Sequence, residues 1–261
     1  LEVEAHIITA AAATVENLKQ CIQDLGVQVS QFVLNPLASG EVVLSETERQ
    51  MGAIVCDIGA GTTDLAIYID DNIWHTMVLG IGGGHITSDI AHGLRLPLSQ
   101  AEEIKKQHGH ALKSMVSAEE MVTVRSFGKD DPGQVSRKDL AHIIEARVEE
   151  IFDLVLQEIK RSGYDGLLPA GMVLTGGTSL LPEIRKLASD VTGLPVRTAK
   201  PENLIGLVDQ LHSPAYSTSV GLLNWALMMN ETMSNSNTAE TNTGGLSKWE
   251  IIVDWIKRLL P

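Results

Sequence analysis

The chain has 261 residues, 44% of them hydrophobic and 4% aromatic, with a formal charge of -13. This aliphatic composition excludes a disordered protein, and the acidic balance argues against a nucleic-acid partner, which needs a basic surface for phosphate. The two cysteines, Cys21 and Cys56, are too few for a disulfide scaffold and suit a reducing compartment; no apolar run reaches the length of a membrane span.

In chain order, residues 1–8 alternate like a strand already under way, which suggests that sequence precedes Leu1. Residues 9–26 predict a helix closed by Gly26, residues 27–34 alternate as a strand, and residues 37–49 predict one helix containing Gly40. From Gly52 to Gly84 three strands are expected in quick succession, the first two joined by a glycine turn and the last two by Asp70-Asp71-Asn72. Two helices follow, split at Pro97, with Ser99 and Glu102 as a capping box for the second. A strand near Met121 leads through a turn at Asp130–Gly133 into a long helix. Ser136 and Asp139 are its cap and box partner, and Leu140, Ile144, Val148, Ile151, Val155 and Ile159 form its apolar stripe. Residues 170–193 predict strand, glycine turn and helix, then a short strand at 194–199 and a late helix at 215–228. Asn230–Gly245 is polar enough to read as a flexible linker.

Three glycine turns, each after an apolar strand, carry the chemistry. In Asp57–Asp64, glycines let the backbone approach a bulky anion, Thr62 and Thr63 add hydroxyl donors, and an acid at the strand end can serve a metal ion. Gly82–Gly84 and Gly176–Gly177 repeat the pattern, the latter offering a flat surface for a base or ribose ahead of a helix. No Walker A motif and no G-x-G-x-x-G opening a βαβ unit is present, so neither a P-loop nor a Rossmann site is expected. Taken alone, Asp57–Asp64 can also be an ordinary tight hairpin with a surface acid, and Gly176–Gly177 a simple strand-to-helix connection.

The order of DIGAGTTD, GGGHITSDIA, AEEIKKQHG and VLTGGTSLLP resembles the C-terminal half of an actin-like ATPase, an α/β, ribonuclease H-like fold. YSTSVGLL, EARVEEI and the tail make the chain similar in particular to the FtsA family of cell-division proteins. The resemblance implies ATP and Mg2+ as ligands. Asp57, Gly59, Gly61, Thr62 and Thr63 would form the second phosphate hairpin, with Asp57 serving the metal. Gly83 and Gly84 would line the cleft, Glu102 and Lys105 would meet ribose and adenine, and Gly176, Gly177 and Thr178 would form the adenosine loop. Without the resemblance, Glu102 and Lys105 read as a surface ion pair. The first phosphate loop of the family has no match in the chain. Asn35 stands before Pro36 where vigorous ATPases of the fold carry glutamate; an amide cannot act as a general base, which implies slow or absent hydrolysis.

The resemblance also divides the chain. Residues 1–50 would be the remainder of the first actin-like domain, with 1–8 the last strand of a family-specific subdomain. Residues 51–228 would be the second domain, with 86–165 its outer subdomain; 229–246 would be a linker and 247–261 an amphipathic membrane-targeting helix. Trp249, Ile252, Trp255, Ile256 and Leu259 give that tail an apolar face too short to span a bilayer but suited to lying in its interface. Arg147 and Glu150, off the stripe of the long helix, match the pair that in such proteins helps bind the C-terminal peptide of FtsZ; by themselves they are an i,i+3 ion pair. The expected role is a polymerising adaptor that tethers FtsZ filaments to the cytoplasmic face of the inner membrane at the division site, with other division proteins as further partners and no nucleic acid. The alternatives are a soluble ATPase or sugar kinase of the same fold, or the pilus-assembly relative of FtsA.

Overall fold

The run Ala53–Ile58 (β1) is buried at every position, as a strand covered on both faces must be. It pairs antiparallel with β2 (Thr63–Ile69) and parallel with β6 (Gly171–Thr175). The computed structural model describes residues 5–241 except 126, 128–130 and 203–210. Its main sheet has the order β3-β2-β1-β6-β7, with β3 at Asn72–Leu79 and β7 at Val196–Thr198. Asp70 and Asp71, both at positive φ, make the two-residue loop between β2 and β3 that matches the twist of a tight hairpin.

Alternation along the strands sends side chains to two cores. Ile54, Cys56, Ile58, Leu65, Ile67, Met172 and Leu174 face a layer built from α4 (Gly83–Leu94), α5 (Leu98–His108), α6 (Arg137–Ser162) and α7 (Ile184–Thr192). Ala53, Val55, Ala66, Tyr68 and Val173 face Val43 and Leu44 on the other side. All six residues of the predicted α6 stripe are buried, none more than 1% exposed. The helix starts at Ser136, whose hydroxyl accepts from the Lys138 amide, and ends at Gly163 in the left-handed conformation. A two-stranded ribbon, β4 (Met121–Val124) with β5 (Gly133–Ser136), lies ahead of it.

Several expectations change. Residues 27–34 form no strand: none of the described strands pairs with them, and Val27 and Phe32 are exposed. Residues 5–8 are likewise not a strand, and residues 1–4 lie outside the described set. The predicted helix at 37–49 is two, α2 (Asn35–Val43) and α3 (Glu46–Met51), because Ser45 leaves the helix to cap α3 in a capping box with Glu48. β5 was hidden in what reads as a turn before α6. Ser99 does not cap α5: the helix begins at Leu98, so the N-cap position is Pro97 and Ser99 lies inside the first turn. Asp139 is only an acid in the first turn of α6, not a box partner. The expected α1 forms at Ala12–Gln23, and none of its residues is buried.

The chain divides into two units, 1–222 and 223–261. The last helix, α8 (Ser217–Thr241), runs past the residue where composition placed a linker. Of the second unit, the described part is the helical run 223–241, on which Leu223 and Leu227 are exposed. The tail residues Trp249, Ile252, Trp255, Ile256 and Leu259 lie outside the described residues. Among those described, no helix is long and apolar enough to cross a membrane.

Candidate functional site

The β1–β2 hairpin turns at Gly59–Thr62, closed by the Gly59 amide donating to the Thr62 carbonyl at 2.9 Å. The carbonyls of Gly59 and Ala60 then accept from the amides of Gly83 and Gly84 at 2.9 and 2.7 Å, which joins the hairpin to the start of α4. The Thr178 hydroxyl donates to the same Gly59 carbonyl at 3.0 Å. Three turns far apart in sequence thus share one backbone junction. Its glycines are required by contact: a Cβ on Gly82 would meet the carbonyl oxygens of Gly59, Ala60 and Thr62 at 2.8–3.0 Å. Gly176, at φ +83, has backbone and the Asp57 carboxylate within 2.5 Å of where a Cβ would stand.

Around this junction opens a cavity of about 530 Å³. Gly59, Gly83, Gly84, Glu102, Lys105, Gly177 and Thr178 all line it, together with Ala60, Lys106, Leu180, Leu181, Pro182 and Ala215. Of the other site residues read from sequence, Asp57, Gly61, Thr62, Thr63 and Gly176 belong to the same junction but not to the lining. Thr63 is turned inward, its hydroxyl donating to the Ile81 carbonyl at 2.8 Å.

Asp57 and Asp64 are cross-strand partners at the base of the hairpin, each 6% exposed. Thr218 donates to Asp57 at 2.9 Å and Thr62 to Asp64 at 2.9 Å. Burial pushes both carboxyls above their usual range. The hydroxyls of Thr218 and Ser39 pull Asp57 back, and Thr62 and Asn35 do the same for Asp64. Neither has a cationic partner among the described residues. Such a pair favours a nearby cation. Among the described residues no three His, Cys, Asp or Glu side chains converge, so a metal ion would take its remaining ligands from phosphate and water.

Glu102 and Lys105 are more than a surface pair. The Lys105 ammonium is buried and contacts Glu102 Oε2 at 2.6 Å, the Thr87 hydroxyl at 2.8 Å and the Gly83 carbonyl at 2.9 Å. Burial opposes ionisation of Glu102, but the bonds from Lys105, Thr87 and Lys106 outweigh it and hold its carboxyl below the usual range. Thr87, Lys106, Thr218 and Ser39 are site residues that sequence reading missed. Thr87 and Thr218 lie in stretches that carry the family resemblance, but nothing local marks a partner 15 or 161 residues away.

Arg147 and Glu150 lie apart from this cavity. Arg147 forks onto Asp89 at 2.5 and 2.9 Å and reaches Glu150 at 2.5 Å. With His142, Ile143 and Ala146 these residues line a separate hollow of about 360 Å³.

The chain shares the fold of solved actin-like proteins. MreB5 of Spiroplasma citri bound to ADP superposes with a TM-score of 0.71 at 20% identity, over 87% of this chain and 68% of that one. The MamK double helical filament gives 0.60 at 18% identity, over 83% and 65%. The PilM–PilN type IV pilus biogenesis complex gives 0.58 at 19%, over 80% and 56%. The family model for Cell division protein FtsA matches residues 54–221. Cell division protein FtsA of Pseudomonas aeruginosa is 43% identical over 227 residues, and that of Neisseria meningitidis 42% over 258. The chain belongs to the FtsA family of cell-division proteins. It spans 54% and 62% of the length of these two relatives, and 87% and 95% of its own length is matched.

Proposed function

We propose that this chain binds ATP with Mg2+ in the cavity between Gly59, Gly83, Glu102 and Gly177. The observation that supports this is the convergence of three glycine turns and a Lys–Glu pair, spread from residue 59 to residue 178, on one hollow of about 530 Å³, the size of a small-ligand site. Backbone amides and side-chain-free edges suit phosphate and a flat base. The buried acids Asp57 and Asp64 suit a hydrated cation held against the phosphates. Asn35, placed beside Asp64, has no carboxylate to activate water, so turnover is slow and the nucleotide serves as an assembly ligand.

In the whole protein the nucleotide-bound form assembles head to tail, holds the FtsZ C-terminal peptide at the Arg147–Glu150 hollow, and is fixed to the cytoplasmic face of the membrane by residues 247–261. The two tryptophans and the aliphatic stripe of that tail support the last step. A single helix of this size is a weak anchor, and polymerisation supplies avidity.

Displacement of a fluorescent ATP analogue by ATP–Mg2+ tests the central reading. Gly177 has only the Ala215 side chain near its Cβ direction, at 3.7 Å, so Gly177→Leu fills the cavity without breaking the junction. The expected result is specific displacement from the parent chain and a loss of roughly tenfold or more in Gly177→Leu, with an unchanged melting temperature. Equal binding by both would remove the cavity from the account.

A further inference from the structure

We infer that Thr87 is a positioning residue of the cavity: its hydroxyl, caught between Lys105 and Glu102, fixes which carboxylate oxygen Glu102 offers to a ligand. This deepens the ATP reading above and rests on it for the ligand's identity. An ammonium has three N–H groups. Those of Lys105 meet three acceptors, the Gly83 carbonyl, the Thr87 hydroxyl and Glu102 Oε2, at 2.9, 2.8 and 2.6 Å. Lys105 is therefore saturated, and its buried position leaves it no proton for a ligand. Its task is to hold α5 against the first turn of α4.

The Thr87 hydroxyl accepts from Lys105 and has one proton to give. Both the Gly83 carbonyl, at 3.1 Å, and Glu102 Oε2 are within reach. The carboxylate is the stronger acceptor, so the proton goes there. Glu102 Oε2 is then filled by Lys105 and Thr87. Only Oε1 is left for the cavity, where the exposed Lys106 ammonium stands 3.1 Å away. An acceptor at a fixed place, paired with the exposed Lys106 ammonium, suits the vicinal hydroxyls of a ribose: the hydroxyls donate to Oε1, and Lys106 gives way. Without the Thr87 hydroxyl, the carboxylate rotates about its last torsion and the acceptor is no longer aimed.

The test uses Thr87→Val, which keeps the shape and loses the hydroxyl, and Thr87→Ser, which keeps the hydroxyl. ATP and 2′,3′-dideoxy-ATP are titrated against a fluorescent ATP analogue on the 261-residue chain. The parent chain and Thr87→Ser prefer ATP. Thr87→Val loses about tenfold for ATP and little for the dideoxy form, so the preference collapses. A parental preference in Thr87→Val, or an equal loss in Thr87→Ser, overturns the inference. If Thr87→Val does not fold, Glu102→Gln must show the same collapse. A second readout needs no nucleotide: by heteronuclear NMR the Lys105 ammonium protons exchange slowly with water in the parent and Thr87→Ser, and fast in Thr87→Val. If ATP does not bind but this contrast holds, the nucleotide reading fails and the positioning role stands; no contrast ends the positioning role.

Discussion

Arg197 grips Glu48 through two hydrogen bonds, at 2.5 and 2.7 Å, and thereby ties α3 to the far strand of the sheet. The side-chain bond from Arg197 is the main reason the Glu48 carboxyl falls from its ordinary 4.5 to about 2. A depressed folded-state value means stability that is full above the unfolded value and is lost as pH falls from about 4.5 towards 2. Arg197 is 41% exposed, so solvent screening reduces the pair to about 1 kcal/mol. Glu48→Gln should therefore lower the melting temperature by about 2–4 °C at neutral pH, and the gap should close in a pH series below about 4.5. Asp57 has the opposite character. Its carboxylate is buried without a cationic partner among the described residues, so at neutral pH Asp57→Asn should melt at a temperature equal to or above the parent's, while the Mg2+ dependence of nucleotide binding weakens. A destabilised Asp57→Asn with unchanged Mg2+ dependence would make Asp57 a structural residue instead.

The long helix α6 shows how an element divides its labour between faces. Its inner stripe fills the larger core, and its outer side carries Arg147 and Glu150. Ile151→Ala removes a side chain that is 1% exposed and should cost about 2–4 kcal/mol in denaturant unfolding. Glu149→Ala, on the exposed side of the same helix, should stay within about 0.5 kcal/mol. Helices of this kind are legible in sequence because period and burial agree. Residues 27–34 alternate without forming a strand for the converse reason: alternation marks a strand only when a neighbour accepts its hydrogen bonds, and none does among the described residues. Ser45 shows a third case, where one capping side chain outweighed an otherwise continuous helical pattern and split α2 from α3.

At the scale of the whole molecule, the proposed membrane role of residues 247–261 and the proposed FtsZ-peptide role of the Arg147–Glu150 hollow can be separated from each other by experiment. Removal of residues 247–261 should abolish sedimentation with liposomes of anionic and zwitterionic lipid while leaving FtsZ-peptide binding intact. Equal sedimentation with and without the tail would defeat the anchor. Arg147→Glu should do the reverse. It replaces the cation held by Asp89 with a third acid, so an acidic peptide should bind roughly tenfold or more weakly by fluorescence anisotropy, with liposome binding unchanged. A peptide that binds the variant as well as the parent would leave Arg147 as only the ion pair that its helix spacing describes.

By itself, the chain of amino acids determined the strands around the glycine turns, the apolar stripe of α6, the acid–glycine–threonine hairpin and the family to which these belong. Each of those is written in local spacing, in side-chain size or in the order of motifs. Only the tertiary structure decided that Lys105 has no donor to spare, that Thr87 lies between it and Glu102, and that Thr218 reaches across 161 positions to Asp57. Those facts depend on which groups meet once the sheet has brought distant turns together. A hydrogen bond leaves no local trace in sequence when its partners are joined only by the fold.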